Sequence, residues 1–147
     1  DAKKRGLGNV IFMPRQPKEQ MPAVWSLCDV ALVHLKDSVV FAGVIPSKIF
    51  EAEAMGLPLL LAAPKGEASA IVLGDGAGLH IAAEDPDALA EAVGNLSEDK
   101  PAREKYAAAA LAAAPHHSRE TQAREMLDVL QMAASGAGDK VGREVSS

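Results

Sequence analysis

A single cysteine, Cys28, stands in the 147 residues, which excludes an internal disulfide framework and any cysteine-rich zinc site. That scarcity fits a reducing compartment, and core filling on a helix is the expected part for Cys28 itself. No apolar run approaches the roughly 18 to 20 residues of a membrane span, and the opening DAKKRGLGN lacks the hydrophobic stretch of a signal peptide. The sequence therefore reads as soluble and cytoplasmic. Positive charge is not in excess either, since the formal net charge is -5 with both signs interspersed. This argues against a nucleic-acid binder, which needs clustered Lys and Arg to neutralise phosphates. A nucleotide needs only a few local cations. A Ser-His-Asp order, a glycine-rich Walker loop and a His-Glu-x-x-His run are also missing.

What is present is enough apolar material, 48% of the chain, for one conventional core. Lys3, Lys4 and Arg5 with Gly6 as a stop read as the last turn of a helix, so the chain is expected to begin inside a larger domain. Val10 to Met13, short and apolar between turn residues, predicts a buried strand. From Lys18 to Leu27, Met21, Val24, Trp25 and Cys28 recur at helical spacing, with Pro22 tolerable in a first turn, and Trp25 is expected in the core. Asp29 then introduces VALVHL, a continuous apolar run that predicts a parallel strand covered on both faces. After an aperiodic stretch, Lys36 to Pro46, Ser47 can cap a helix running to Met55, with Gly56 as its stop. Pro58 opens a third strand, Leu59 to Ala63.

A helix over about Glu67 to Leu73 and the turn GDGAG lead to a short strand, Leu79 to Ala82. Asp85 caps the next helix, with Pro86 at its first position and Ala88, Leu89, Ala92, Val93 and Leu96 on its buried face. Pro101 to Ala113 is alanine-rich enough to be helical without needing a partner. Ser118 and the run Thr121 to Met132 predict a final amphipathic helix. The predicted domain spans residues 1 to 133, and residues 134 to 147, poor in apolar residues and holding three glycines, predict a disordered tail. Strands alternating with helices at such short spacings imply an α/β fold with a doubly wound parallel sheet, Rossmann-like, binding its ligand at the carboxyl ends of the strands. The loops 35 to 46 and 63 to 67 lie there.

The helix opening at Ser47 offers unpaired N–H groups and the positive end of its dipole to a phosphate, and Lys48 adds a full charge. At about 100° per residue, Glu51 lies within roughly 60° of Ser47, Lys48 and Met55, while Glu53 points some 160° away, so the two glutamates cannot act as a pair. One turn inside that helix, Glu51 could accept hydrogen bonds from a vicinal diol, as carboxylates do for ribose in dinucleotide folds. Pairing with Lys48, or with the helix dipole, is the alternative. His34 ends a strand at the ligand edge, where it could touch a phosphate or sugar or serve structure alone. His80, inside a strand, is expected to pack. His116 and His117 adjoin Pro115 without carboxylate or cysteine partners at ligand spacing, so no metal site is expected.

The segment FEAEAMGLPLLLA is similar to the EAMACGxPVVA signature of the C-terminal domain of glycosyltransferase group 1 enzymes, the retaining GT-B family. GLGNVIFMPRQPKEQMPAVWSLCDVAL and GDGAGLHIAAEDPDALAEAV resemble two further runs of that family, in order, so the resemblance covers roughly residues 6 to 131. It implies the nucleotide-sugar-binding half of a GT-B fold, with Glu51 as the ribose-holding second glutamate of an E-x7-E motif. The first glutamate of that motif would fall on Gly43, so its contact to the donor sugar is absent or supplied elsewhere. The family's glycine-rich turn is likewise replaced by Val44, Ile45, Pro46 and Ser47, and Pro46 has no N–H to offer.

The IPSK variant resembles bacterial cell-surface polysaccharide transferases, which implies that Ser47 and Lys48 hold the diphosphate. Gly66 and Glu67, in the loop PKGEAS, match a family loop facing the donor; for Glu67 the alternative is a carboxylate favouring a helix N-terminus. The resemblance implies hexose transfer from a nucleoside-diphosphate donor, UDP-linked, to a lipid-linked or polysaccharide acceptor, with Lys48 and the helix terminus stabilising the departing diphosphate without metal or cofactor. It further implies an N-terminal acceptor domain, family Arg and Lys residues preceding Asp1, peripheral membrane association of the complete enzyme, and inactivity of these residues alone. Two other readings stand beside it. One is a non-catalytic nucleotide-binding module. The other is a GT-B-fold UDP-sugar 2-epimerase, for which the sequence offers no carboxylate pair.

Overall fold

The computed structural model describes residues 2–135. Its centre is a three-stranded parallel sheet in the order β1 (Ala31–His34), β2 (Leu59–Ala62), β3 (Gly78–Ile81). The register pairs Ala31 with Leu59 and Leu59 with Gly78, so all three strands end level at His34, Ala62 and Ile81. Helices α1 (Met21–Trp25), α2 (Val39–Ala42), α3 (Ser47–Ala54), α4 (Glu67–Gly74), α5 (Pro86–Glu98), α6 (Lys100–Ala113) and α7 (Arg119–Ala134) complete the α/β alternation.

The sheet is covered on both faces, as in a doubly wound Rossmann-like fold. On one side Ala31, Val33, Leu59 and Leu61 pack against Ile49 and Ala52 of α3, Ala68 and Val72 of α4, and Ala110 of α6. On the other, Leu60 meets Ala92 and Leu96 of α5, with Leu79 and Ile81 of β3 beside it. Leu59, Leu60 and Leu61 are wholly enclosed. Burying each such side chain is worth about 1.5–3 kcal/mol. Period-2 alternation explains how one run of three leucines serves both cores.

Local chemistry sets the element ends. Gly56, at φ 65°, takes the left-handed conformation that stops α3, and the Leu57 N–H reaches back to the Ala52 carbonyl at 3.0 Å. Asp85 caps α5 by accepting from the Ala88 N–H at 2.9 Å, and Asp99 caps α6 in the same way through Ala102 at 2.8 Å. Residues 2–7 form a turn in which Leu7 N–H donates to the Ala2 carbonyl at 3.1 Å and Gly6 lies at φ 67°, the hydrogen bonding of a helix C-terminus.

Several expectations are corrected. Val10 to Met13 forms no strand, and Ile11 and Phe12 are 83% and 76% exposed. A strand exists only beside a partner, and among the described residues no strand pairs with this segment. The predicted helix over 18 to 27 is a 3-10 turn, Lys18–Gln20, followed by the five residues of α1, and Trp25 and Cys28 are half-buried at the core's margin. β1 is covered on one face only, because it is an edge strand and α5 lies over β2 and β3; Leu32 and His34 are exposed.

Val93 is likewise exposed on α5. The alanine-rich α6 does have a partner: Ala110 and Ala113 are buried, and Leu111 lies so close to Gly56 that a side chain there would collide with it. The last helix is amphipathic in sequence, yet Met126, Leu127, Val129, Leu130 and Met132 are all more than half exposed. It continues through Ala134, past the predicted start of the tail, and residues 136–147 lie outside the described residues.

Candidate functional site

The three strand ends, the loops that follow them and the N-terminus of α3 converge on one side of the sheet. Pro46, not Ser47, occupies the N-cap position of α3, and no side chain caps the helix. Ser47 is its first residue, and its hydroxyl turns inward along the helix to donate to Glu51 Oε1 at 3.2 Å. The second oxygen, Oε2, accepts from Trp25 Nε1 at 3.4 Å. Glu51 therefore stands exposed with each oxygen held by one donor and further lone pairs open to solvent. The alternative pairing with Lys48 does not form: among the described residues Lys48 makes no ion pair. Lys48 is exposed beside the first-turn N–H groups of Ser47 and Lys48, which have no intrahelical partner.

Gly66 precedes α4 in extended backbone, φ 174°, which any residue can adopt. Its requirement for glycine is steric, since a Cβ would lie 2.0 Å from the Ala42 carbonyl oxygen. The loop after β2 is thus pressed directly onto α2. The Gly66 N–H donates to Ser69 Oγ at 2.9 Å, so it is already engaged within its own turn. Glu67 follows, exposed, in the first turn of α4. His80 fixes the same loop from β3: its Nε2 lies 2.8 Å from the Ala63 carbonyl, an acceptor, so this nitrogen carries the proton. Packing was the expectation for His80, and this hydrogen bond adds to it.

His34 ends β1 with Leu32 on the face opposite α3. It lines a shallow groove of about 500 Å³ together with Leu32, Lys36, Ala62, Glu84 and Leu89. The structure therefore groups Ser47, Lys48 and Glu51 on α3 and leaves His34 on the other side of the strand end. Among the described residues, no helix is long and apolar enough to cross a membrane.

A family model described as glycosyl transferases, group 1, matches residues 1–112, from the first turn to α6. The chain belongs to that family. No curated protein matches it. Group 1 membership makes this a glycosyl-transfer domain, which works with a sugar-nucleotide donor and an acceptor, and its Rossmann-like sheet is the half-domain architecture of the GT-B fold. The matched region ends before the 3-10 turn Ala114–His117 and α7.

A second group of polar residues gathers at the other end of the transferase sheet, where α3 and α4 finish and β2 and β3 begin. Glu53 is completely buried, with Ile49 and Ala52, on the inner face of α3. Asp75, the C-cap of α4, lies next to it, and His117 Nε2 is 2.7 Å from Asp75 Oδ2. His117 thus has the carboxylate partner that sequence spacing did not offer, 42 residues away. Burial, and next the neighbouring Asp75 charge, push the Glu53 carboxyl up to about 7 from 4.5, with His117 opposing. Ionised, neither Glu53 oxygen has a donor within reach; protonated, Glu53 can itself donate to Asp75. Glu53 and Asp75 are a carboxylate pair, placed where α3 and α4 finish rather than at the N-terminus of α3 that carries Lys48.

One signal for Glu53 was present in the sequence. It stands four residues after Ile49 and next to Ala52, on the apolar stripe of its own helix, where a charge is out of place.

Proposed function

We propose that this domain binds the nucleoside diphosphate of a UDP-hexose at the N-terminus of α3. In the complete enzyme the hexose passes, with retention at C1, to a lipid-linked or polysaccharide acceptor of the bacterial cell envelope. An acceptor domain preceding these residues supplies the other cleft wall, and the work is done at the cytoplasmic membrane face. The observation that carries this reading is the exposed Glu51 carboxylate, oriented by Ser47 and Trp25 one turn inside a helix whose N-terminus carries Lys48, without an ion-pair partner among the described residues.

Glu51 would take the ribose hydroxyls on its remaining lone pairs. Lys48, the Ser47 and Lys48 amides and the α3 dipole would face the diphosphate. During transfer the bond from C1 to the β-phosphate oxygen breaks, the acceptor oxygen bonds to C1, and the acceptor's proton passes to the departing diphosphate oxygen. Negative charge grows on the leaving diphosphate, so cations and amides fixed there stabilise the transition state more than the bound donor. Gly66 and Glu67 border the same end and would face the sugar, and His34 would contact the ligand from across β1.

Calorimetric titration of the full-length protein with a nucleotide panel tests this, using UDP, GDP, ADP and 2′,3′-dideoxy-UDP. UDP is expected to bind best, and Glu51→Ala to weaken it by roughly tenfold, the worth of a charge-assisted hydrogen bond. The dideoxy analogue should not respond to Glu51→Ala. Undiminished UDP binding by Glu51→Ala removes the ribose assignment, and unchanged affinity in Lys48→Ala removes the diphosphate assignment.

A further inference from the structure

Glu53, Asp75 and His117 come from the C-terminal half of α3, the end of α4 and the 3-10 turn Ala114–His117. Each offers one ligand atom, and these atoms lie within 4.8 Å of one another. Both Glu53 oxygens are buried without a hydrogen-bond partner on a side chain that is 0% exposed. An ionised carboxylate in that condition forfeits its hydration with nothing in exchange, so Glu53 needs either its own proton or a cation beside it. Asp75 and His117, each 23% exposed at the side chain, leave an approach from solvent. The Phe50 ring lies against His117, centroids 5.0 Å apart, and limits its orientation.

We propose that these three residues form a binding site for one divalent transition-metal ion of the Zn2+ class. Two carboxylate oxygens and one imidazole nitrogen make a donor set suited to zinc and its neighbours, and three protein ligands leave a fourth position for water on the open side. At metal–ligand distances of about 2.0–2.2 Å, tetrahedral ligand atoms sit roughly 3.4 Å apart. Glu53 closes toward the ion while Asp75 and His117 exchange their mutual hydrogen bond for it. Two carboxylates and a neutral imidazole carry two negative charges, which one dication balances.

The site lies at the strand ends away from Lys48, and one ligand, His117, falls outside the family-matched residues. It does not rest on the donor reading. Its effect is mechanical: the ion ties α3 and α4 to the segment that leads into α7.

The test uses full-length protein stripped with chelator, titrated with ZnCl2 by calorimetry and, separately, with Co2+ followed by visible absorption. One Zn2+ per chain is expected at this site, with a rise in Tm of several degrees at saturation, and Co2+ bands of low-coordinate N/O geometry. Glu53→Gln and His117→Gln should each weaken Zn2+ by about tenfold or more. His116→Ala, altering the exposed neighbouring histidine, should leave it unchanged. The inference is overturned by absence of saturable binding, by binding that survives Glu53→Gln, or by binding that disappears in His116→Ala. If either glutamine variant fails to fold, the Co2+ spectrum of the unaltered protein decides: octahedral, solvent-like bands overturn the site. UDP affinity is a separate readout, so failure of one proposal leaves the other standing.

Discussion

Trp25 Nε1 donates to Glu51 Oε2 at 3.4 Å, so a residue of α1 helps orient the carboxylate of α3. Trp25→Phe keeps a ring at the core margin and removes only the donor. UDP affinity should fall by roughly two- to fivefold and stability by less than about 1 kcal/mol, the range of a single exposed hydrogen bond. Calorimetry paired with a thermal melt measures both. Equal affinity in the variant would mean that Ser47 alone is enough to hold Glu51.

Gly66 is in extended backbone, so replacing it tests contact rather than conformation. In Gly66→Ala the new methyl would sit 2.0 Å from the Ala42 carbonyl oxygen, and α2 and the loop after β2 must separate. A loss of about 1–3 kcal/mol is expected from such overpacking. Urea denaturation reads it as a lower midpoint at unchanged slope.

Position 43 behaves oppositely. Nothing lies nearer than the Val40 carbonyl at 3.9 Å to a Cβ built on Gly43, so Gly43→Glu should change stability by no more than about 0.5 kcal/mol. It also restores the carboxylate that the family resemblance expects eight positions before Glu51. On the proposed reading, affinity for a UDP-hexose changes in this variant while affinity for UDP does not. A parallel titration with the two ligands separates these outcomes, and a shift in UDP affinity alone would contradict the assignment.

The buried Glu53 predicts a pH dependence in chelator-treated protein. Its folded pKa of about 7 exceeds the ordinary 4.5, so between these values the native state holds a proton that the unfolded chain has lost. Stability is therefore fullest below about pH 4.5 as far as this group is concerned, declines as pH rises, and levels off above about 7. Asp75 and His117 are the ionisable groups facing it, the first raising and the second lowering its pKa. A pKa difference of this size amounts to on the order of 3 kcal/mol. Glu53→Gln cannot ionise and should flatten the profile over that interval. Denaturant midpoints measured from pH 5 to 8 would reject the prediction if the two proteins ran parallel.

Asp85→Ala removes the acceptor for the Ala88 N–H at the start of α5, a bond of 2.9 Å. The expected cost is about 1 kcal/mol, read by thermal melting. Asp85→Asn or Asp85→Ser should recover most of it.

Much of the fold was legible because its signals are local. Asp85 followed by Pro86 marks a helix start through one side-chain bond and one preset φ, and Gly56 marks a stop through its left-handed backbone. The leucines of β2 form an apolar run that matches a central strand. Val10 to Met13 carries a similar apolar signal and fails, since pairing requires a neighbour that no property of those four residues specifies. At the candidate site, helical spacing brought Ser47 to Glu51. It could not foresee Trp25, which reaches Glu51 from 26 residues away.

From residue order alone came the α/β alternation, most helix ends and the one-turn relationship of Ser47 to Glu51, since these depend on backbone preferences and contacts within a few residues. Only the tertiary structure decided that β1 buries a single face, that Gly66 abuts Ala42, and that Glu53, Asp75 and His117 meet. Those facts arise where sheet register and helix packing join segments far apart in the chain. The energy of a buried charge or a close approach belongs to that junction rather than to any one segment.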